Sequence, residues 1–146
     1  MFIIRSGGTR LVAVADFAGT TGICVDTTEK AGQLHASLHA TAGTAISGFA
    51  YQDPVTKTRS YLLLGRVGQK IDSFVIGEYV VVVKGVGTGL TNQLADGDYS
   101  HGDTLTPSVT TGLLKVASGA DVVCGTVIHG QTMATQNNSV EFEFNF

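Results

Sequence analysis

Apolar residues in this chain recur at every second position in short runs separated by Gly and Thr, and they do not follow the 3.6-residue spacing of a helix. A period of two puts alternate side chains on opposite faces of a pleated strand. The pattern therefore predicts strands over residues 11–17, 22–26, 44–51, 58–67, 73–84, 102–106, 112–117 and 121–129. The 73–84 segment is densest in β-branched and aromatic residues, the types that fit a pleated, half-buried surface. Between Leu34 and Thr41, Leu34, Ala36, Leu38 and Ala40 alternate with His35, Ser37, His39 and Thr41, which favours a strand over the helix that propensity alone would allow. In the last seven residues Val140, Phe142, Phe144 and Phe146 share one face, and Glu141, Glu143 and Asn145 share the other. A strand so patterned must dock, on its own sheet or on that of a neighbouring subunit, because an unpaired edge carrying three Phe would aggregate. Residues 88–102 read as a long polar connection. The expectation is an all-β chain, residues 1–146 forming one domain: an antiparallel β-sandwich or barrel of jelly-roll or Greek-key type with about ten short strands.

Composition sharpens this picture. Of 146 residues 43% are hydrophobic and only 14% charged, against roughly 25% charged in ordinary soluble domains. So few charges leave part of the surface to be covered by copies of the chain or by a partner. A net charge of −3 offers no cationic patch for nucleic acid or for anionic lipid. The N-terminus lacks the basic start and long apolar run of a signal peptide, and no run reaches the length of a membrane span, so the expectation is synthesis in the cytoplasm. Cys24 and Cys124 sit among apolar or small neighbours and read as buried thiols, with a disulfide as the alternative. No Cys-x-x-Cys spacing supports zinc.

Several groupings invite chemistry. His35 and His39 have the spacing that on a helix would present two imidazoles to one metal, but no Glu follows the first, and on a strand the rings stand about 13 Å apart. They read as surface or interface histidines. Gly85, Gly87 and Gly89 follow a strand as a phosphate-binding loop would, yet no helix follows them, so a bulged or flexible loop is expected. Asp96, Asp98, Ser100 and Asp103 space oxygen donors as a calcium loop does, without the closing bidentate Glu; this is the one cofactor candidate, set against a plain turn. Asp96, Asp98, Tyr99 and Gly102 also resemble the Asp-x-Asp-Tyr-x-Gly segment of trimeric dUTP pyrophosphatases, with one extra residue before the glycine. That family's Ser-Gly-Leu phosphate loop and arginine-bearing tail are absent. No nucleophile with a supporting base is recognisable, so the chain reads as a non-enzyme.

The runs Gly102-Asp-Thr-Leu-Thr-Pro, Gly112-Leu-Leu-Lys-Val-Ala and Val122-Val-Cys-Gly-Thr-Val-Ile, with Ile76-Gly-Glu-Tyr-Val-Val-Val-Val-Lys-Gly upstream, resemble the β-rich head decoration, or cement, proteins of tailed bacteriophages. The resemblance covers residues 71–146. It implies a structural virion protein on the capsid exterior that binds the major capsid protein and clamps neighbouring shell subunits, without catalysis. It further implies a homotrimer, with residues 1–10 or 140–146 exchanged between subunits or laid on the shell. Phe2, Ile3, Ile4, Phe142, Phe144 and Phe146 are then the interface candidates. A carbohydrate-binding or adhesin-like β-sandwich is the rival from another class, weakened by the absence of Trp and by 8% aromatic content.

Overall fold

A computed structural model describes residues 2–52, 73–134 and 139–146. Strands and turns make up the described chain, as the period-two pattern requires. Its backbone is a long antiparallel ribbon of β1 (Phe2–Ala15) and β7 (Tyr79–Thr91), in register from Phe2↔Thr91 to Val14↔Tyr79. The other edge of β7 is shared: β5 (Gly48–Tyr51) pairs with Val81 to Val83, and β13 (Val140–Asn145) pairs with Val86 to Thr91.

From β5 the sheet continues through β3 (Cys24–Lys30) to β4 (Gln33–Leu38) and returns to the end of β1, where Val14 and Ala15 meet His35 and Ala36 in parallel. Strands β1, β4, β3, β5 and β7 thus close a five-stranded barrel. Ala31 and Gly32 join β3 to β4 with φ of 50° and 80°, the positive values that a two-residue hairpin turn needs to match strand twist. A barrel of so few strands is narrow, and small residues fill it: Ala13, Ala15, Val25, Ala36, Ala50, Val80 and Val82 are all buried there. Phe17 and Phe74 stack edge to face against this cluster, 5.2 Å apart. Phe74 belongs to β6 (Ser73–Phe74), which pairs with β2 (Gly19–Thr20).

Beyond β13 the sheet runs on through β11 (Gly125–His129) and β9 (Thr104–Pro107) to β10 (Leu114–Val116). The chain leaving β7 returns beside β10, where Leu114 N–H donates to Gln93 O and Ala95 N–H to Leu114 O. The short strands β8 (Gly97–Tyr99) and β12 (Gln131–Ala134) pair alongside. Phe2, Phe49, Phe142 and Phe144 form an aromatic core between this part and the outer wall of the barrel. The four consecutive valines of β7 follow from its position. Val80 and Val82 face the barrel interior while Val81 and Val83 face the aromatic core, and a strand buried on both faces reads as a continuous apolar run.

Several expectations are corrected. The polar connection expected over 88–102 is strand as far as Thr91 and strand again at Gly97–Tyr99. Gly85 to Gly89 lie inside β7 instead of in a free loop. The reason is crowding: a Cβ on Gly87 would fall 2.5 Å from Ser6 O and 2.6 Å from Phe144 Cζ. The 73–84 segment divides at Gly77, whose φ of 89° turns the chain between β6 and β7. The first strand begins at Phe2, well before residue 11. The expected strand 58–67 lies outside the described residues. Among the interface candidates, Phe2, Phe142 and Phe144 are buried in the chain's own core, and Ile4 and Phe146 pack against it. The terminal strand pairs with β7 and β11 of the same chain, so its Phe face completes its own sheet. Ile3, 44% exposed, is the candidate left at the surface.

Candidate functional site

The barrel's closure fixes two His–Asp pairs. Asp16, just past β1, accepts hydrogen bonds from Lys30 Nζ and from His35 Nδ1, the latter at 2.7 Å. This half-buried cluster, with Lys30 at its exposed side, ties the β3–β4 hairpin to the end of β1. Both donors hold the Asp16 carboxyl below its ordinary value of 3.8, Lys30 contributing most and His35 next.

The second pair is buried. Asp26 on β3 accepts a 2.9 Å hydrogen bond from His39 Nδ1, and His39 N–H donates to Cys24 O just beyond β4. His39 is only 1% exposed, so the surface location expected from its polar alternation is corrected: the chain turns inward where β4 ends. His35 and His39 engage different aspartates. In the neutral imidazole, with Nδ1–H given to the carboxylate, Nε2 of His39 would carry the lone pair; in the imidazolium it would carry a second N–H.

His39 lines a cavity of roughly 100 Å³ between the 39–47 loop and the β9–β10 hairpin. Thr106 lines it too, 4% exposed. Pro107, Val109 and Val122 supply apolar walls, and Lys115 and Asp121 stand at the rim. One Asp121 carboxylate oxygen accepts the Ser118 N–H at 3.0 Å. Nothing in the sequence marks this site, because its residues lie on four separate stretches that only the folded chain brings together.

The acidic stretch behaves as a turn. Asp103 Oδ2 accepts the Ser100 N–H at 2.8 Å, and Asp103 N–H donates to Ser100 O at 3.0 Å. Asp96 and Asp98 are exposed. Among the described residues no three His, Cys, Asp or Glu side chains converge as metal ligands would. Tyr99 points inward, donating its hydroxyl to Ala95 O and Leu114 O; burial, then the charge of Asp96, pushes its pKa up to about 12. It serves as a strut of the core. Cys24 and Cys124 are both free and buried, the first of the two readings offered for them.

The outer edge of β1 is the longest open edge among the described strands, since β4 covers it only at Val14 and Ala15. Register shifts between Ile4 and Ser6 and between Gly7 and Thr9 break its regularity. Arg5 and Arg10 place charges along it, Arg10 also lying 5.8 Å over the Tyr51 ring. Bulges and charges of this kind keep an edge from pairing indiscriminately.

No family model matches this chain, and no curated protein matches it in sequence. Among solved structures, the chain is similar to the N base of the head fiber gp8.5 of bacteriophage phi29, with a TM-score of 0.58 and 13% identity over 95% of each chain. The two therefore share a fold along nearly their whole lengths: this all-β chain is built like the base of a phage head fiber.

Proposed function

We propose that the chain is a structural virion protein of a tailed phage, sitting on the outside of the capsid and binding the major capsid protein, where it stabilises the shell without catalysis. The observation that carries this reading is the fold shared with a phage head fiber base over 95% of both chains. A charged fraction of only 14% supports it independently, since a protein that works by burying its surface against an assembly needs few solvating groups. The mechanism is additive: many weak contacts repeated over a closed shell raise the cost of its rupture. A homotrimer is the assembly in this reading, with the exposed Ile3 and its neighbours on β1 as contact residues.

Two measurements test it. Light scattering after size exclusion should give three times the 15.2 kDa chain mass. Mass spectrometry of density-gradient-banded particles of the source phage should find the chain, and an antibody against it should label their exterior. A monomer absent from banded particles overturns the reading.

A further inference from the structure

We propose that copies of this chain meet head to tail, the cationic open margin of β1 in one copy against the acidic margin around β10 in the next. This rests on the homotrimer of the reading above and names the two surfaces that build it.

The two margins are the ends of one run of strands. From β1 the sheet passes through β7, β13, β11 and β9 to β10, steps of about 4.8 Å that separate the margins by roughly 24 Å along the sheet. Each end leaves apolar surface open. Of the seven large apolar side chains exposed among the described residues, Ile3, Leu11 and Val12 lie on β1, and Val116 and Val123 lie on or just after β10, so most of this surface gathers at the two margins. The loop that carries Val123 is held against β9, where Ala117 N–H donates to Thr104 O and Cys124 N–H to Leu105 O. Along β1 the outer backbone edge is unpaired from Phe2 to Ala13 among the described strands, an edge that a neighbour can cover.

Charge makes the two margins complementary. Residues 1–90 carry eight Lys or Arg against six Asp or Glu, whereas residues 91–146 carry one Lys against six Asp or Glu. On β1 both Arg5 and Arg10 are exposed, and no carboxylate occurs between Phe2 and Ala15. Lys84, exposed on β7 next to Thr9, adds a third cation. At the other end Asp121 is exposed two residues before Val123, and the exposed Asp96 follows Ala95, whose N–H donates to Leu114 O of β10. Arg5, Arg10, Lys84, Asp96 and Asp121 form no ion pair among the described residues. Two apolar patches of opposite sign that one chain holds apart are satisfied between copies. A patch that meets a different patch makes a heterologous contact, which closes into a ring when the rotation allows. Two β1 margins in contact would instead set arginines against arginines.

The test is light scattering after size exclusion on the purified full chain and on three charge variants, with circular dichroism melts to show that each is folded. Arg5→Glu with Arg10→Glu should turn the trimer into monomer at concentrations where the parent is trimeric, and so should Asp96→Lys with Asp121→Lys. All four substitutions together restore opposite signs across the contact, and that variant should recover the trimer, which a merely misfolded margin would not do. Raising NaCl from about 0.1 M to about 1 M, which shortens the screening length from about 10 Å to about 3 Å, should weaken the parent trimer about tenfold; this arm decides the matter where a variant does not fold. The proposal is overturned by a monomeric parent, by a reversed pair that stays trimeric, as it would if two β1 margins met each other, by a folded fourfold variant that stays monomeric, or by a trimer indifferent to salt. A parent trimer that both reversed pairs leave intact removes this inference and keeps the homotrimer. A monomeric parent removes both, and the chain's presence on banded particles judges the virion reading by itself.

Discussion

Gly87 lies directly beneath the ring of Phe144: a Cβ built on it would fall 2.6 Å from Phe144 Cζ and 2.5 Å from Ser6 O. The closer obstacle is backbone, which cannot swing aside. Gly87→Ala should therefore cost about 3 kcal/mol in urea unfolding, at the upper end of overpacking penalties. Gly77→Ala meets nothing within 4 Å and suffers only from its φ of 89°, so about 1 kcal/mol is expected there. Equal midpoints for the two variants would contradict the packing described.

The terminal strand belongs to the core of its own chain, with Phe142 in ring contact with Phe2, Phe49 and Phe144. Phe142→Ala should lower stability by about 3–5 kcal/mol, the range for a large buried aromatic. Calorimetry should show the loss at every protein concentration. A loss that appeared only as an oligomer dissociated would return this residue to a subunit interface.

Asp16 makes stability pH-dependent in acid. Its folded pKa is depressed below 3.8, so its contribution is full above 3.8 and fades as pH falls below that value towards the folded one. Asp16→Asn should lie below the parent above pH 4 and converge with it in stronger acid, as followed by circular dichroism melts. A gap that widened towards low pH would reverse the sign.

Burial raises the Cys124 thiol to about 12 and raises the Cys24 thiol well above its usual value, burial again the first cause. Neither forms appreciable thiolate near neutrality, and thiolate is the reactive species. Ellman's reagent should label neither cysteine in the native protein and both after denaturation. Rapid native labelling would show the core to be open.

Asp103 ties its own turn through the Ser100 N–H. Asp103→Ala should cost about 1 kcal/mol, and neither calcium nor EDTA should move the parent's melting temperature. A calcium-dependent rise that Asp103→Ala abolished would restore the ion-binding reading of this stretch.

What was legible in the sequence was local. Alternation at Leu34 to Leu38 and at Val140 to Phe144 marked real strands with the right faces inward, because a period of two is a property of the strand itself. The β-branched density of 73–84 likewise marked a strand, while its burial on both faces emerged only from the structure. What the tertiary structure decided were relationships between distant segments. Glycine weakens a strand in isolation, so Gly85 to Gly89 read as a loop; only the approach of Ser6 and Phe144 explains why glycines are needed inside β7. His39 alternates as a polar surface residue, and nothing near it in sequence foretells that Asp26 will hold its ring or that Thr106, Lys115 and Asp121 will line the same cavity. By itself the sequence determined that the chain is all-β and which faces of several of its strands are apolar. Closure of the barrel, which joins residues far apart along the chain, decided which polar groups would be buried together.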